Sequence, residues 1–218
     1  MLSHFRPFAL GRLRLTTLAR VAVVSGLAAA SLAPTAHAEQ AGDVCADQVV
    51  RDLREGRFAA VAKLLVEPPS YDEEKAGADR EGSAAGLRAI VATVGAIEDV
   101  KPMAGPRRYY RVQISGGTPE SWSGVGRPMT AEVVERDIRF ADAGPGVLVL
   151  KLAKGAHACS LGSLDIGLDA QPAGARDRMA DVYVAVMQAV GTEGEPAELR
   201  KRAESMLTTY DAGGAAGR

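Results

Sequence analysis

The side chains best equipped for chemistry in this chain are few and scattered. His157 stands in the turn-like stretch His157-Ala158-Cys159, and the other two histidines, His4 and His37, lie in the first 38 residues. A serine hydrolase would need His157 as the base for a nucleophile held by its neighbours. No G-x-S-x-G elbow accompanies it. Gly124-Val125-Gly126 lacks the lysine and the preceding apolar strand of a phosphate loop, so it reads as an ordinary loop. Arg107-Arg108-Tyr109-Tyr110-Arg111 interleaves cations with aromatics, the combination that grips phosphates and stacks on bases. Strand alternation splits this run between two faces, and the expectation is a solvated sheet face rather than a binding patch.

Arg136 is more telling because it shares its alternation with Val134, Ile138 and Phe140, which points it towards an apolar side. A buried cation needs a partner. That partner is either a salt bridge at the sheet edge, with the arginine stem snorkelling outwards, or a ligand carboxylate or phosphate, which a guanidinium binds bidentately. Trp122, the one tryptophan, falls in the Gly- and Ser-rich segment 115–126 and serves as a loop plug or a ligand-stacking lid. The candidate ligand-binding residues are Arg136, Trp122 and Tyr110; no residue is assigned a catalytic role. His157, Cys159 and Cys45 supply three metal ligands at most and contain no C-x-x-C pair, so neither a metal site nor a cofactor is expected.

The elements that must position these residues follow a signal-like leader. Arg6, Arg12, Arg14 and Arg20 sit in a stretch without acidic residues, and an apolar run from Val21 to Ala33 leads to Ala36-His37-Ala38. This is the pattern of a secretory signal peptide cleaved after Ala38. The apolar run is shorter than the ~20 residues of a membrane-spanning helix. The expected localisation is therefore periplasmic or secreted, with no stable membrane span after cleavage. The remaining 180 residues carry 22 Lys and Arg against 27 Asp and Glu, a net charge of −5 that argues against nucleic acid as a partner. Cys45 and Cys159 both survive cleavage, and an even cysteine count in an exported chain suggests a disulfide between them. Such a staple closes a loop on the order of 100 residues and adds up to about 4–5 kcal/mol by restricting the unfolded chain. The alternative is two buried free thiols.

Val44, Val49, Val50 and Leu53 recur at helical spacing, Gly56 interrupts, and Phe58, Val61, Leu64 and Leu65 resume until Pro68-Pro69. Residues 71–82 are rich in charge and small side chains, and the stripe Leu87, Ile90, Val91 and Val94 predicts a helix capped by Gly95. The period then changes to two. Strands are expected at 107–114, at 134–140 and 147–152 as a hairpin, and near 164–168, all antiparallel because the connections are too short for crossover helices. Lys151 and Asp165 fall on the polar faces of two such strands, where a cross-strand ion pair would be ordinary. Met179, Val182, Val186, Met187 and Val190 mark a helix closed by Gly191. Another starts near Pro196, and residues from Asp211 read as a small flexible tail.

This order of elements resembles secreted bacterial members of the nuclear-transport-factor-two-like superfamily. The similarity rests on Leu53-Arg54-Glu55-Gly56-Arg57-Phe58 between the first helices and on the exit Gly95-Ala96-Ile97 into the first strand, and it covers roughly Val44 to Leu168. It implies an α+β fold, with N-terminal helices packed on a curved, cone-like antiparallel sheet whose mouth can bind a small molecule. The two C-terminal helices are extra. The expected organisation is a signal peptide at 1–38, one α+β domain at 39–191, and a C-terminal helix with a tail at 192–218.

These readings favour an exported, non-catalytic domain that binds a small ligand or an envelope protein. The alternatives are an isomerase or dehydratase that uses the cone pocket, and an envelope structural protein that self-associates. The staple is directly testable: thiol titration of the unfolded, unreduced protein should find no reactive cysteine, whereas two thiols per chain would remove it.

Overall fold

The computed structural model describes residues 41–69, 71–117, 129–154 and 159–213. Trp122, Gly124-Val125-Gly126, His157, the leader and residues 214–218 of the expected tail lie outside them. The first helix, α1, runs over residues 41–54. Cys45, Val49 and Leu53 stack one turn apart on its buried side together with Ala46 and Val50. After the break at Gly56, α2 (Phe58–Ala62) adds Val61 to the same core.

Helix α3 (Glu73–Val94) is longer than the apolar stripe predicts, so its first half corrects the sequence reading. Asp72 caps it by accepting from Lys75 N at 2.9 Å, and Glu73 and Glu74 place negative charge in the first turn, where the helix dipole favours it. Its buried face uses Ala76, Ala84 and Gly86, small residues that carry little hydrophobic signal but let helices approach closely. A Cβ at Gly86 would stand 3.7 Å from Val186 of the neighbouring helix. Gly95, with φ of 85°, ends α3 and turns the chain into the sheet.

Among the described residues six strands form one antiparallel, curved sheet: β1 (Ile97–Pro102), β2 (Arg107–Ser115), β3 (Thr130–Phe140), β4 (Gly144–Ala153), β5 (Leu161–Asp169) and β6 (Thr209–Ala212), in the order β1-β3-β4-β5-β2-β6. The fold is α+β. The β3–β4 hairpin turns at residues 141–143, with Phe140 opposite Gly144. Between β5 and β6 lie α4 (Ala175–Ala189) and α5 (Pro196–Met206). Helix α4 packs on the sheet through Met179 and Val182, and α5 packs on α4 through Leu199 and Ala203. The chain then returns to the sheet as β6, pairing Tyr210 with Tyr109. Thr209–Ala212 is thus an edge strand, which corrects the reading of a flexible tail from Asp211. All of these elements fall in the compact unit that begins at Ala41.

Curvature follows from connectivity. β1 and β2 lie four strand spacings apart, about 19 Å across a flat sheet. The four residues between them permit a reach of only about 17 Å. The sheet therefore rolls, and residues of distant strands meet over one face: Arg107 of β2 holds Asp137 of β3 at 2.8 Å, and Gly213 N donates to Glu135 Oε2 at 2.7 Å.

The other face carries Leu148, Leu150, Leu164, Ile166 and Leu168, all essentially inaccessible, and is covered by α1, α3 and α4. Cys45 and Cys159 form a disulfide with Cα atoms 5.2 Å apart, fastening α1 to the chain just before β5.

Close approach fixes Gly167 in β5, where a Cβ would press on the Tyr109 ring and the Tyr110 carbonyl. Gly167→Ala should cost about 1–3 kcal/mol in chemical denaturation, the usual cost of overpacking. Gly77→Ala, in an open stretch of α3 with nothing within 4 Å, should instead stabilise by up to about 1 kcal/mol.

Candidate functional site

Arg136 lies where its alternation predicts, on the helix-facing side of β3 between Val134 and Ile138. Its side chain is 12% exposed and pairs with Asp43 of α1, while Nη1 donates to Glu135 O at 3.1 Å. The salt bridge is thus present, and it lies in the wall of a groove of roughly 650 Å³. One wall is α1, presenting Asp43, Asp47, Val50, Arg51 and Arg54; the other is Val100, Lys101 and Pro102 at the end of the edge strand β1, with Arg136 beside them. Pro102 is the register partner of Arg136, which brings these side chains together.

Helical periodicity makes the α1 wall. Asp43, Asp47, Arg51 and Arg54 recur at three- and four-residue steps on the side opposite Cys45, Val49 and Leu53. Arg54 fastens helix to strand, with Nε and Nη2 donating to Ile97 O and Glu98 O, each at 2.9 Å. Lys101 bonds Asp99 at 2.5 Å and holds that carboxyl below its ordinary range. Asp47 and Arg51 are exposed and have no ion-pair or side-chain hydrogen-bond partner among the described residues.

Of the sequence candidates, Arg136 and Tyr110 do not converge. Tyr110 sits on the same sheet face but on β2, three strand spacings from β3, where it is half-buried against the main core. Trp122 lies outside the described residues. Asp43, Asp47, Arg51 and Arg54 were not singled out from sequence: a polar stripe on an amphipathic helix looks like any solvent face until the strand opposite it is known.

A second cluster occupies the face over which the sheet rolls. Asp165 of β5 is 0% exposed and bonds Arg111 of β2, with Lys151 Nζ at 3.5 Å. Arg111 stacks on the Tyr210 ring at 3.7 Å, and Gln113 donates to Ser163 Oγ at 3.0 Å. The expected Lys151–Asp165 pair is therefore present. The expectation of a solvated face is corrected: Tyr109, Val147, Val149 and Asp165 are all buried there, because the roll encloses them. Asp165 Oδ1 has no hydrogen-bond partner among the described residues. The same face holds Arg107 between Asp137 and Asp169. Each cation here is matched to an internal carboxylate, which suits a structural network.

No metal-ligating group of three or more His, Cys, Asp or Glu occurs among the described residues. No helix among them is long and apolar enough to cross a membrane. No family model, no curated protein and no solved structure matches this chain.

Burial, reinforced by the nearby Asp165 carboxylate, pushes the Tyr109 phenol up to about 12. A raised pKa in the folded state contributes stability that is fully present below the ordinary tyrosine range and is lost as pH rises through about 10 to 12. The wild type should therefore lose stability more steeply over that window than Tyr109→Phe, measured by denaturant unfolding at a series of alkaline pH values.

Proposed function

We propose that this protein is an exported, non-catalytic binding domain that holds a small ligand by an anionic group in the groove between α1 and β1. The observation that carries this reading is the guanidinium of Arg136. It is mostly buried and already engaged by a carboxylate, that of Asp43, whose own side chain is 63% exposed and free to give way. A ligand carboxylate or phosphate would take the same fork. The groove volume lies within the range of small-molecule sites, and Arg51, Arg54 and Lys101 give its lining a small cationic excess.

Export is supported by the leader-like N-terminus and by a disulfide, a bond that persists in oxidising compartments. The helix-then-sheet order and the curved sheet support kinship with the nuclear-transport-factor-two-like superfamily. The groove, however, lies at the rim, because Leu148, Leu150 and Leu164 fill the space under the helices.

An isomerase or dehydratase would require a carboxylate or phenol free to move protons. Asp165 and Tyr109 are the nearest candidates, and the first is tied to Arg111 while the second is buried. Self-association through the C-terminal helices is supported less, since Leu199 and Ala203 of α5 are spent on α4 and the exposed apolar residues Val190 and Met206 stand singly at the helix ends.

Native mass spectrometry of the protein taken from its own cell envelope tests the proposal. The mass should begin at Glu39, and a retained small molecule, or added citrate or phosphate, should bind at least about tenfold more weakly to Arg136→Gln, the factor expected for a lost charged hydrogen bond. Undiminished binding by that variant, absence of any bound anion, or an exported chain that keeps residues 1–38 would overturn it.

A further inference from the structure

We infer that the ligand of the α1–β1 groove is a short peptide with free ends, a di- or tripeptide, bound with its carboxylate on Arg136 and its ammonium on Asp47. This rests on the groove reading above and adds the chemistry of the ligand.

The groove sets a cation whose carboxylate partner is exchangeable beside a carboxylate that holds no cation. Arg136 accepts a carboxylate at a position that Asp43 marks in the structure. Asp47 follows one helical turn later on the same wall, about 6 Å along the axis, and is exposed with no cation bound to it among the described residues. A cation site and an anion site at that spacing suit a zwitterion. A single amino acid is too short, because its ammonium and carboxylate share one Cα. Two extended residues span at most about 7 Å and three about 10 Å, so a dipeptide reaches the spacing extended and a tripeptide reaches it bent.

The remainder of the groove fits peptide side chains. From Asp43 to Arg54 the helix wall is about 16 Å long, more than a single phosphate or amino acid would fill. Val50, Val100 and Pro102 supply apolar surface between the charges, and Arg51 is a further cation beyond Asp47 with no partner among the described residues. Opposite α1, β1 is the outermost strand of the sheet, and among the described residues its outer edge has no strand partner. Arg54 occupies the carbonyls of Ile97 and Glu98, which leaves residues 99–102 to face an extended ligand backbone. Pro102 and Lys101 shorten this edge against pairing with another whole strand, consistent with a small peptide rather than a protein segment.

Calorimetric titration with trialanine, N-acetyl-trialanine, trialanine amide, alanine and inorganic phosphate separates the possibilities. Trialanine should bind, and each blocked form should bind about tenfold or more weakly, the loss expected when a charged hydrogen bond is removed. Asp47→Asn, at an exposed position that leaves the fold intact, should weaken trialanine to the level of its acetylated form without changing the affinity of that form. Arg136→Gln should do the same for the amide, with thermal melting to confirm folding.

Equal binding of trialanine and its blocked forms, or no effect of Asp47→Asn, overturns the zwitterion assignment. Binding of phosphate but no peptide overturns it while leaving the anion-binding groove standing. Binding of none of the probes overturns both.

Discussion

The short connection between β1 and β2 is the constraint on which the rest of this structure depends. Four residues must join strands that stand first and fifth in the sheet order, and only a rolled sheet lets them do so. The roll encloses one face, and side chains that would be solvated on a flat sheet become interior. Arg111, Lys151, Asp165, Arg107, Asp137 and Asp169 then need partners within the molecule, because an unpaired buried charge is costly. They find them across the sheet. Strand β6 belongs to the same solution: its Tyr210 covers Arg111, and Gly213 closes onto Glu135.

Helix α1 serves two surfaces at once. Its inner positions Cys45, Val49 and Leu53 join the main core, and its outer positions present the charges of the groove. The disulfide fixes this helix from the inside at Cys45, and Arg54 fixes it from the outside through two β1 carbonyls. The groove wall is thereby tied to the sheet at two places, to the edge strand β1 and, through Cys159, to the chain entering β5 in the sheet interior. Preorganisation of this kind lowers the ordering cost of binding.

Local rules made much of this legible in the sequence. Alternation placed Arg136 among apolar neighbours and set Lys151 against Asp165, because period-two geometry is a property of each strand alone. Cysteine parity gave the disulfide. What escaped depended on other parts of the chain. The first half of α3 buries Ala76, Ala84 and Gly86, which register weakly in any apolar pattern, although Asp72-Glu73-Glu74 was a legible start signal. Four residues of β6 are too few to show a period, and the strand exists because β2 offers it an edge. Burial of the second sheet face follows from strand order, which no local pattern encodes.

The two charged clusters differ in what it costs to replace their partners, and this separates structure from function. Breaking the Arg111–Asp165 pair would leave a charge with no access to water, a loss of about 3–5 kcal/mol for a buried pair. In the Asp43–Arg136 pair the carboxylate stands mostly in solvent, so exchanging it costs less than breaking a pair whose carboxylate is fully buried. An incoming carboxylate can displace Asp43 at little cost and still satisfy the guanidinium, while the released aspartate is hydrated at once. The groove therefore combines a cation that is held in position with a partner that is easily exchanged, and these are the two properties a reversible anion site requires.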